Sequence, residues 1–344
     1  MRRAAVLAAV GLLVVAACSD DSAGTTTPDR DPTTTVPGAA TTDAATTTTP
    51  ATVTTITPAP TWRRIQGMAF PRSEMPAAAL DGLIYVPGGF MGTAQGGAEG
   101  RAEVEAYDPG TDTWEGTVPL PEARHHLMTV ALDGRLWVLG GFGGDGPTDT
   151  VWSWAPGEEK WAAHAPMPEP VGAAGAAALD GLIYVVGGQP AGDTALRYDP
   201  TADTWETLTP MPTPREHVAA VAFDGAIWAI GGRWAGGEWA SVDVYDAATD
   251  RWSPGPDLNR ARGGFGATVW QGTIAVAGGE VLGSLETLTS VEVLVEGAWI
   301  EFDPMPVALH GTALAALDGR LYVLGGSRRA GAIANSGDAL EREG

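Results

Sequence analysis

Short apolar runs recur along the chain, each closed by a pair of glycines. The runs are Leu83-Ile84-Tyr85-Val86, Leu136-Trp137-Val138-Leu139, Leu182-Ile183-Tyr184-Val185-Val186, Ala226-Ile227-Trp228-Ala229-Ile230, Thr273-Ile274-Ala275-Val276-Ala277 and Leu321-Tyr322-Val323-Leu324. The diglycines begin at Gly88, Gly140, Gly187, Gly231, Gly278 and Gly325, in steps of 52, 47, 44, 47 and 47 residues. Ahead of most runs stands Asp-Gly, as at Asp133-Gly134 and Asp180-Gly181. That pair supplies the positive φ values of a two-residue hairpin turn. Before the turn lies a second apolar run rich in small residues, such as Ala176-Ala177-Ala178-Leu179. Small side chains suit strands crowded around an axis. A third run ends in Tyr107-Asp108-Pro109, Trp154-Ala155-Pro156, Tyr198-Asp199-Pro200 or Tyr245-Asp246-Ala247, and a turn leads on to Trp114, Trp161, Trp205, Trp252 and Trp299. Four strands per unit and a fixed period predict the blades of an all-β propeller.

Diglycine, Asp-Gly turn and a tryptophan seven residues after a tyrosine together resemble the kelch repeat. The resemblance covers residue 61 to about 342 and implies a six-bladed β-propeller of four-stranded kelch blades over 61–344. The fifth unit departs from the pattern, because Val293-Leu294-Val295-Glu296-Gly297 shortens the turn and lacks the tyrosine. The sixth unit has no outer strand at its C-terminal end. Trp62 precedes Trp114 by the same 52 residues that separate Gly88 from Gly140. The segment Thr61-Trp62-Arg63-Arg64 is therefore expected to join the last blade and close the ring, beside a third strand at Asp338-Ala339-Leu340-Glu341.

The N-terminal sixty residues follow other rules. Arg2 and Arg3 precede an uncharged apolar run, Ala4 to Ala17. At 14 residues it is short of the ~20 that span a bilayer and has the length and flanks of a secretory signal. It ends in Val15-Ala16-Ala17-Cys18, which resembles a bacterial lipobox. Residues 1–17 are therefore expected to be a lipoprotein signal peptide, with a lipid on Cys18, the only cysteine of the chain. Residues 18–60 are dominated by Thr, Pro and Ala, with almost nothing to bury, and are expected to form a disordered stalk. The expected location is the outer face of a bacterial cell membrane, touched only through the lipid.

Charge narrows the function. Acidic residues outnumber basic ones 42 to 20. That balance opposes phosphate backbones, so no nucleic-acid partner is expected. Sixteen residues before each diglycine stand Arg72, Arg124, Val171, Arg215, Arg262 and Leu309. Just after them come Ser73/Glu74, His125/His126, Gly172/Ala173, Glu216/His217, Gly263/Gly264 and His310/Gly311. Four of the five histidines fall in this ring, His164 excepted. Loops after the diglycines add Phe90, Phe142, Arg233, Trp234, Trp239, Arg328 and Arg329. The expectation is a cationic and aromatic axial funnel, with Arg72, Glu74, Arg124, His126, Arg215, His217, Arg262, His310, Trp234 and Trp239 as ligand-binding candidates.

Complete catalytic constellations are missing. The kelch resemblance extends to copper radical oxidases, but their Tyr–Cys crosslink has no cysteine to use in this domain. It extends also to sialic-acid epimerases, for which His126, His217, Glu74 and Glu216 are candidate acids and bases. A metal set could be drawn from His125, His126, His217 and His310, but adjacent strand residues point to opposite faces, so His125 and His126 do not share an ion, and neither a metal site nor a cofactor is expected. The reading is a monomeric, non-catalytic propeller binding a protein, peptide or glycan of the cell envelope. The alternative is an epimerase or mutarotase for acidic sugars.

Overall fold

Each Asp-Gly pair that precedes an apolar run makes the tight turn expected of it: Asp180 and Gly181 take φ of 53° and 78°. Around such turns the computed structural model, which describes residues 61–92, 97–333 and 335–343, folds as six four-stranded antiparallel sheets. The apolar run before Cys18, Cys18 itself and the stalk lie outside the described residues.

The third blade shows the plan, with strands Gly175–Leu179, Leu182–Val186, Ala195–Asp199 and Thr204–Thr207 hydrogen-bonded in order from the axis outward. Innermost strands of successive blades adjoin, and Ala313–Leu317 of the last blade returns to Ala78–Leu80 of the first. The crowding there is real: a Cβ on Gly175 would come within 2.7 Å of the Ala220 backbone nitrogen. The sixth blade is stitched from both ends of the propeller segment, in the order Trp62–Arg64, Ala339–Arg342, Arg320–Leu324, Ala313–Leu317, with Trp62 opposite Arg342. The fifth blade turns in two residues, Glu296 and Gly297, between Val291–Val295 and Ala298–Phe302.

The core lies between blades. Each of the six apolar clusters draws on two neighbouring sheets; Tyr85, Val104 and Ala106 of the first pack on Leu136, Val138 and Trp152 of the second. Two circular sets of hydrogen bonds reinforce it. The second glycine of each pair donates its N–H to the next blade, as Gly89 to the Arg124 carbonyl and, closing the circle, Gly326 to the Arg72 carbonyl. The approach needs glycine: a Cβ on Gly187 would sit 2.7 Å from the Arg215 carbonyl, and the residue's φ is +71°. Farther out, each outer-strand tryptophan donates Nε1–H to the linker that leads into its blade. Trp114 bonds Gln66, Trp161 bonds Val118, Trp205 bonds Ala165, Trp252 bonds Thr209, Trp299 bonds Pro256, and Trp62 completes the set on Asp303.

Candidate functional site

Six residues ring one end of the axis, one from the entrance to each innermost strand: Glu74, His126, Ala173, His217, Gly264 and Gly311. All six have φ between 49° and 60°. Side-chain-bearing residues avoid this left-handed region. Here a third circle of hydrogen bonds enforces it, each N–H donating to the ring residue of the preceding blade, from Glu74 onto Gly311 round to Gly311 onto Gly264. The residue before each ring position pairs with the residue after the diglycine, giving Ser73–Phe90, His125–Phe142, Gly172–Gln189, Glu216–Arg233, Gly263–Glu280 and His310–Ser327. The backbone thus presents two concentric sets of side chains to one axial mouth.

In the inner set, Glu74, His126 and His217 converge. Glu74 Oε2 lies 3.4 Å from His126 Nε2 and 3.6 Å from His217 Nε2. His310 joins from the outer set, its Nδ1 3.6 Å from Glu74 and 3.3 Å from Glu280. His217 Nδ1 meets the Glu216 carboxylate, and His126 Nδ1 lies 2.6 Å from His125 Nδ1. His125 turns away from the axis and stacks between Phe90 and Phe142. Arg233 ties the group together through Glu216, Glu280 and His217 Nε2, the last at 2.9 Å. Below the ring an axial cavity of about 190 Å³ runs between the innermost strands.

Burial keeps the His125 and His126 imidazoles neutral, lowering their pKa values to about 4 and about 3. Burial alone would raise Glu74, yet His126, His310 and His217 hold its carboxyl well below the usual carboxylate range. Glu216 is drawn to about 2; burial opposes this, and the bond from His217 and the charge of Arg233 outweigh it. His310 is raised: burial works against its charge, but Glu74 and Glu280 prevail.

Of the expected residues, Glu74, His126, His217 and His310 are brought together here. The arginines are not. Arg72, Arg215 and Arg262 are 0% exposed, and their side chains do not line the mouth. Arg72 donates to the Glu103 and Val86 carbonyls and pairs with Glu105 at 2.7 Å. Arg215 does the same with Ser241, Ala229 and Asp243, and Arg262 with Gly278, Ser290 and Glu292. Arg124 pairs with Glu122 and lies over the Trp152 ring. Arg72, Arg215 and Arg262 fold back into their own blades, toward the second and third strands, where strand-end carbonyls await a donor; Arg124 bonds the Ala123 carbonyl beside it. The cationic funnel is therefore corrected: Glu74, Glu216 and Glu280 face the mouth against Arg233. The tryptophans lie farther out, Trp234 packed on Gly192 and Trp239 40% exposed.

Sequence reasoning missed Glu280 and the clasping role of Arg233. Their signal was positional, since both directly follow a diglycine, as Phe90 and Phe142 do.

The Kelch motif family model matches residues 71–121, 123–168, 170–212 and 214–259, the first four blades. The chain is similar to Kelch-like protein terF of Aspergillus terreus, 26% identical over 265 residues that cover 76% of this chain and 51% of that protein. It is similar also to mouse Kelch-like protein 35, 37% identical over 92 residues (26% of this chain, 15% of the relative). An F-box/kelch-repeat protein of Arabidopsis thaliana is 48% identical over 54 residues, 16% of this chain and 15% of its own. The chain spans about half the length of the first of these and a smaller share of the others. With four matched repeats filling more than half of its length and two further blades of the same construction, this chain belongs to the kelch-repeat family.

Proposed function

We propose that the chain is an extracytoplasmic interaction propeller whose partner is a protein or peptide. In this reading a lipid on Cys18 holds it at the outer face of a bacterial membrane, and residues 18–60 raise the propeller above it. The apolar run and its terminal Cys18 support the address. The partner class is supported by the family, since kelch propellers generally bind proteins.

The observation that carries the reading is the loop face. Hairpins such as Arg233–Trp234 with Gly237–Glu238, and Glu280–Val281 with Glu286–Thr287, extend beyond the diglycines. They and the loop after Gly326 leave Trp239, Leu285 and Ile333 exposed above a ring bonded all the way round. Apolar anchors on loops over a rigid scaffold are how interaction surfaces concentrate binding energy. The acidic-sugar alternative needs arginine forks free to hold a carboxylate. Arg72, Arg215 and Arg262 are engaged inside their blades, and Arg233 is held by Glu216 and Glu280.

A photo-crosslinking residue at Trp239 or Leu285, in cells carrying the full chain, should capture discrete protein adducts. The same residue at Ile300, exposed on an outer strand, should not. Equal capture from all three sites, or none, would discard the loop face. Cys18→Ala should abolish lipid labelling of the chain; unchanged labelling would discard the anchor.

A further inference from the structure

We propose that Glu74, His126 and His217 form a binding site for a divalent transition-metal ion of the zinc class at the mouth of the propeller axis. His125 and His126 touch through their Nδ1 atoms, at 2.6 Å, but the His125 ring is stacked between Phe90 and Phe142 and stays off the axis. The residue that shares the axis with His126 is instead His217, two blades away. One ligand atom from each of Glu74, His126 and His217 falls within 4.8 Å of the other two. Zinc–nitrogen and zinc–oxygen bonds of about 2.0–2.2 Å place tetrahedral ligand atoms about 3.3 Å apart, so an ion draws this group together only slightly. The Glu74 contacts, at 3.4 and 3.6 Å, are near that spacing already.

The surroundings fit ligands rather than a plain ion pair. Metal-bound histidines hand their second ring N–H to an outer partner, which fixes the tautomer. His217 has the Glu216 carboxylate on Nδ1 for this, and His126 has His125 Nδ1 at 2.6 Å. Both arrangements leave Nε2 directed at Glu74. Two imidazoles and a carboxylate are a donor set suited to zinc and its neighbours, and three protein ligands leave a coordination position open. The other half of the ring is small: Ala173, Gly264 and Gly311. A Cβ added to Gly264 would meet nothing nearer than 3.5 Å, which leaves room for water or another exogenous ligand. The ring also lines the axial cavity. Charge favours a cation, because Glu74, Glu216 and Glu280 outnumber Arg233. The Arg233 guanidinium, 2.9 Å from His217 Nε2, is the group an ion displaces, and Glu216 and Glu280 keep it alongside.

The test needs no binding partner and so stands apart from the loop-face reading. The untagged full chain, stripped with a chelator, is titrated with Zn²⁺ by calorimetry and with Co²⁺ by visible spectroscopy. The expected result is a single site tighter than about 10 µM, with ligand-field bands from nitrogen and oxygen donors. Glu74→Gln and His126→Ala should each weaken it more than about 100-fold, and Glu216→Gln by about 10–100-fold. His164→Ala, outside the cluster, should leave it unchanged. Melting of the chelated variants identifies any that does not fold, and Glu74→Gln, nearly isosteric, carries the test if His126→Ala fails. No binding in that range, or binding that Glu74→Gln leaves intact, overturns the site.

Discussion

Arg72, Arg215 and Arg262 belong to a pair of positions that repeats in every blade. The partner lies on the third strand, opposite the fourth residue of the second. In blade order the pairs are Arg72 with Glu105, Arg124 with Trp152, Val171 with Leu196, Arg215 with Asp243, Arg262 with Glu292 and Leu309 with Leu340. Where one member is arginine the other is an acid or an aromatic ring; where one is aliphatic so is the other, and those two pairs sit in shared apolar clusters. Burial pushes the Glu105 and Asp243 carboxyls up despite the arginines beside them, so the ion pairs fall short of recovering their desolvation cost. Arg215→Ala should destabilise the propeller by about 3–5 kcal/mol, because Asp243 is left buried and unpaired. The double change Arg215→Val with Asp243→Leu, which copies the third blade, should recover most of that loss in urea denaturation. A double variant no more stable than Arg215→Ala alone would show that the pair does more than fill one internal slot.

At the level of elements, closure depends on a strand of three residues. Trp62–Arg64 covers the open edge of Ala339–Arg342, and Trp62 supplies the sixth tryptophan–carbonyl bond. A propeller without it exposes an unpaired strand edge and the apolar cluster containing Leu340. Deleting residues 61–66 should therefore broaden thermal unfolding and promote association, as read by calorimetry and light scattering. Trp62→Phe, which loses only the donor and part of the ring, should cost about 1 kcal/mol and keep a single sharp transition. A deletion variant that melts like the parent would mean that closure does not depend on this strand.

Across the whole molecule the axial cluster couples stability to pH. His125 and His126 bind protons at about 4 and about 3 in the folded protein, against 6.5 when free. Below pH 6.5 the unfolded chain therefore takes up more protons, and stability falls as pH drops toward 3. Glu74 and Glu216, held below 4.5, add to the loss as they protonate. His310 acts in the opposite sense: its raised pKa makes a contribution that is complete below 6.5 and lost as pH rises through its folded value. The Arg233 guanidinium, paired with Glu216 and Glu280, keeps its charge nearby throughout this range. In chelator, denaturation midpoints should decline from pH 6.5 to 4. His125→Phe, which preserves the stack with Phe90 and Phe142, should reduce that decline by on the order of 2 kcal/mol. An unchanged slope would remove His125 from the account.

The all-β fold, the number of blades and the closing strand were legible in the residues themselves. Asp-Gly turns, diglycines and tryptophans act over a few residues, and their effects repeat at a fixed period, so Trp62 could be placed in the sixth blade by counting. The same period located the ring that carries Glu74, His126, His217 and His310. It could not say where a long side chain goes. Arg72 and Glu74 are two residues apart, yet the first turns back into its own blade and the second reaches the axis. That outcome depends on the positive φ of Glu74 and on carbonyls brought in by distant strands. Nor could it bring His126 and His217 onto one oxygen of Glu74, since 91 residues and two blade boundaries separate the histidines until the ring closes. Local turn chemistry and repetition settle the architecture from sequence alone. The chemistry of the axis is settled by closure, because only closure brings one residue from each blade to the same point.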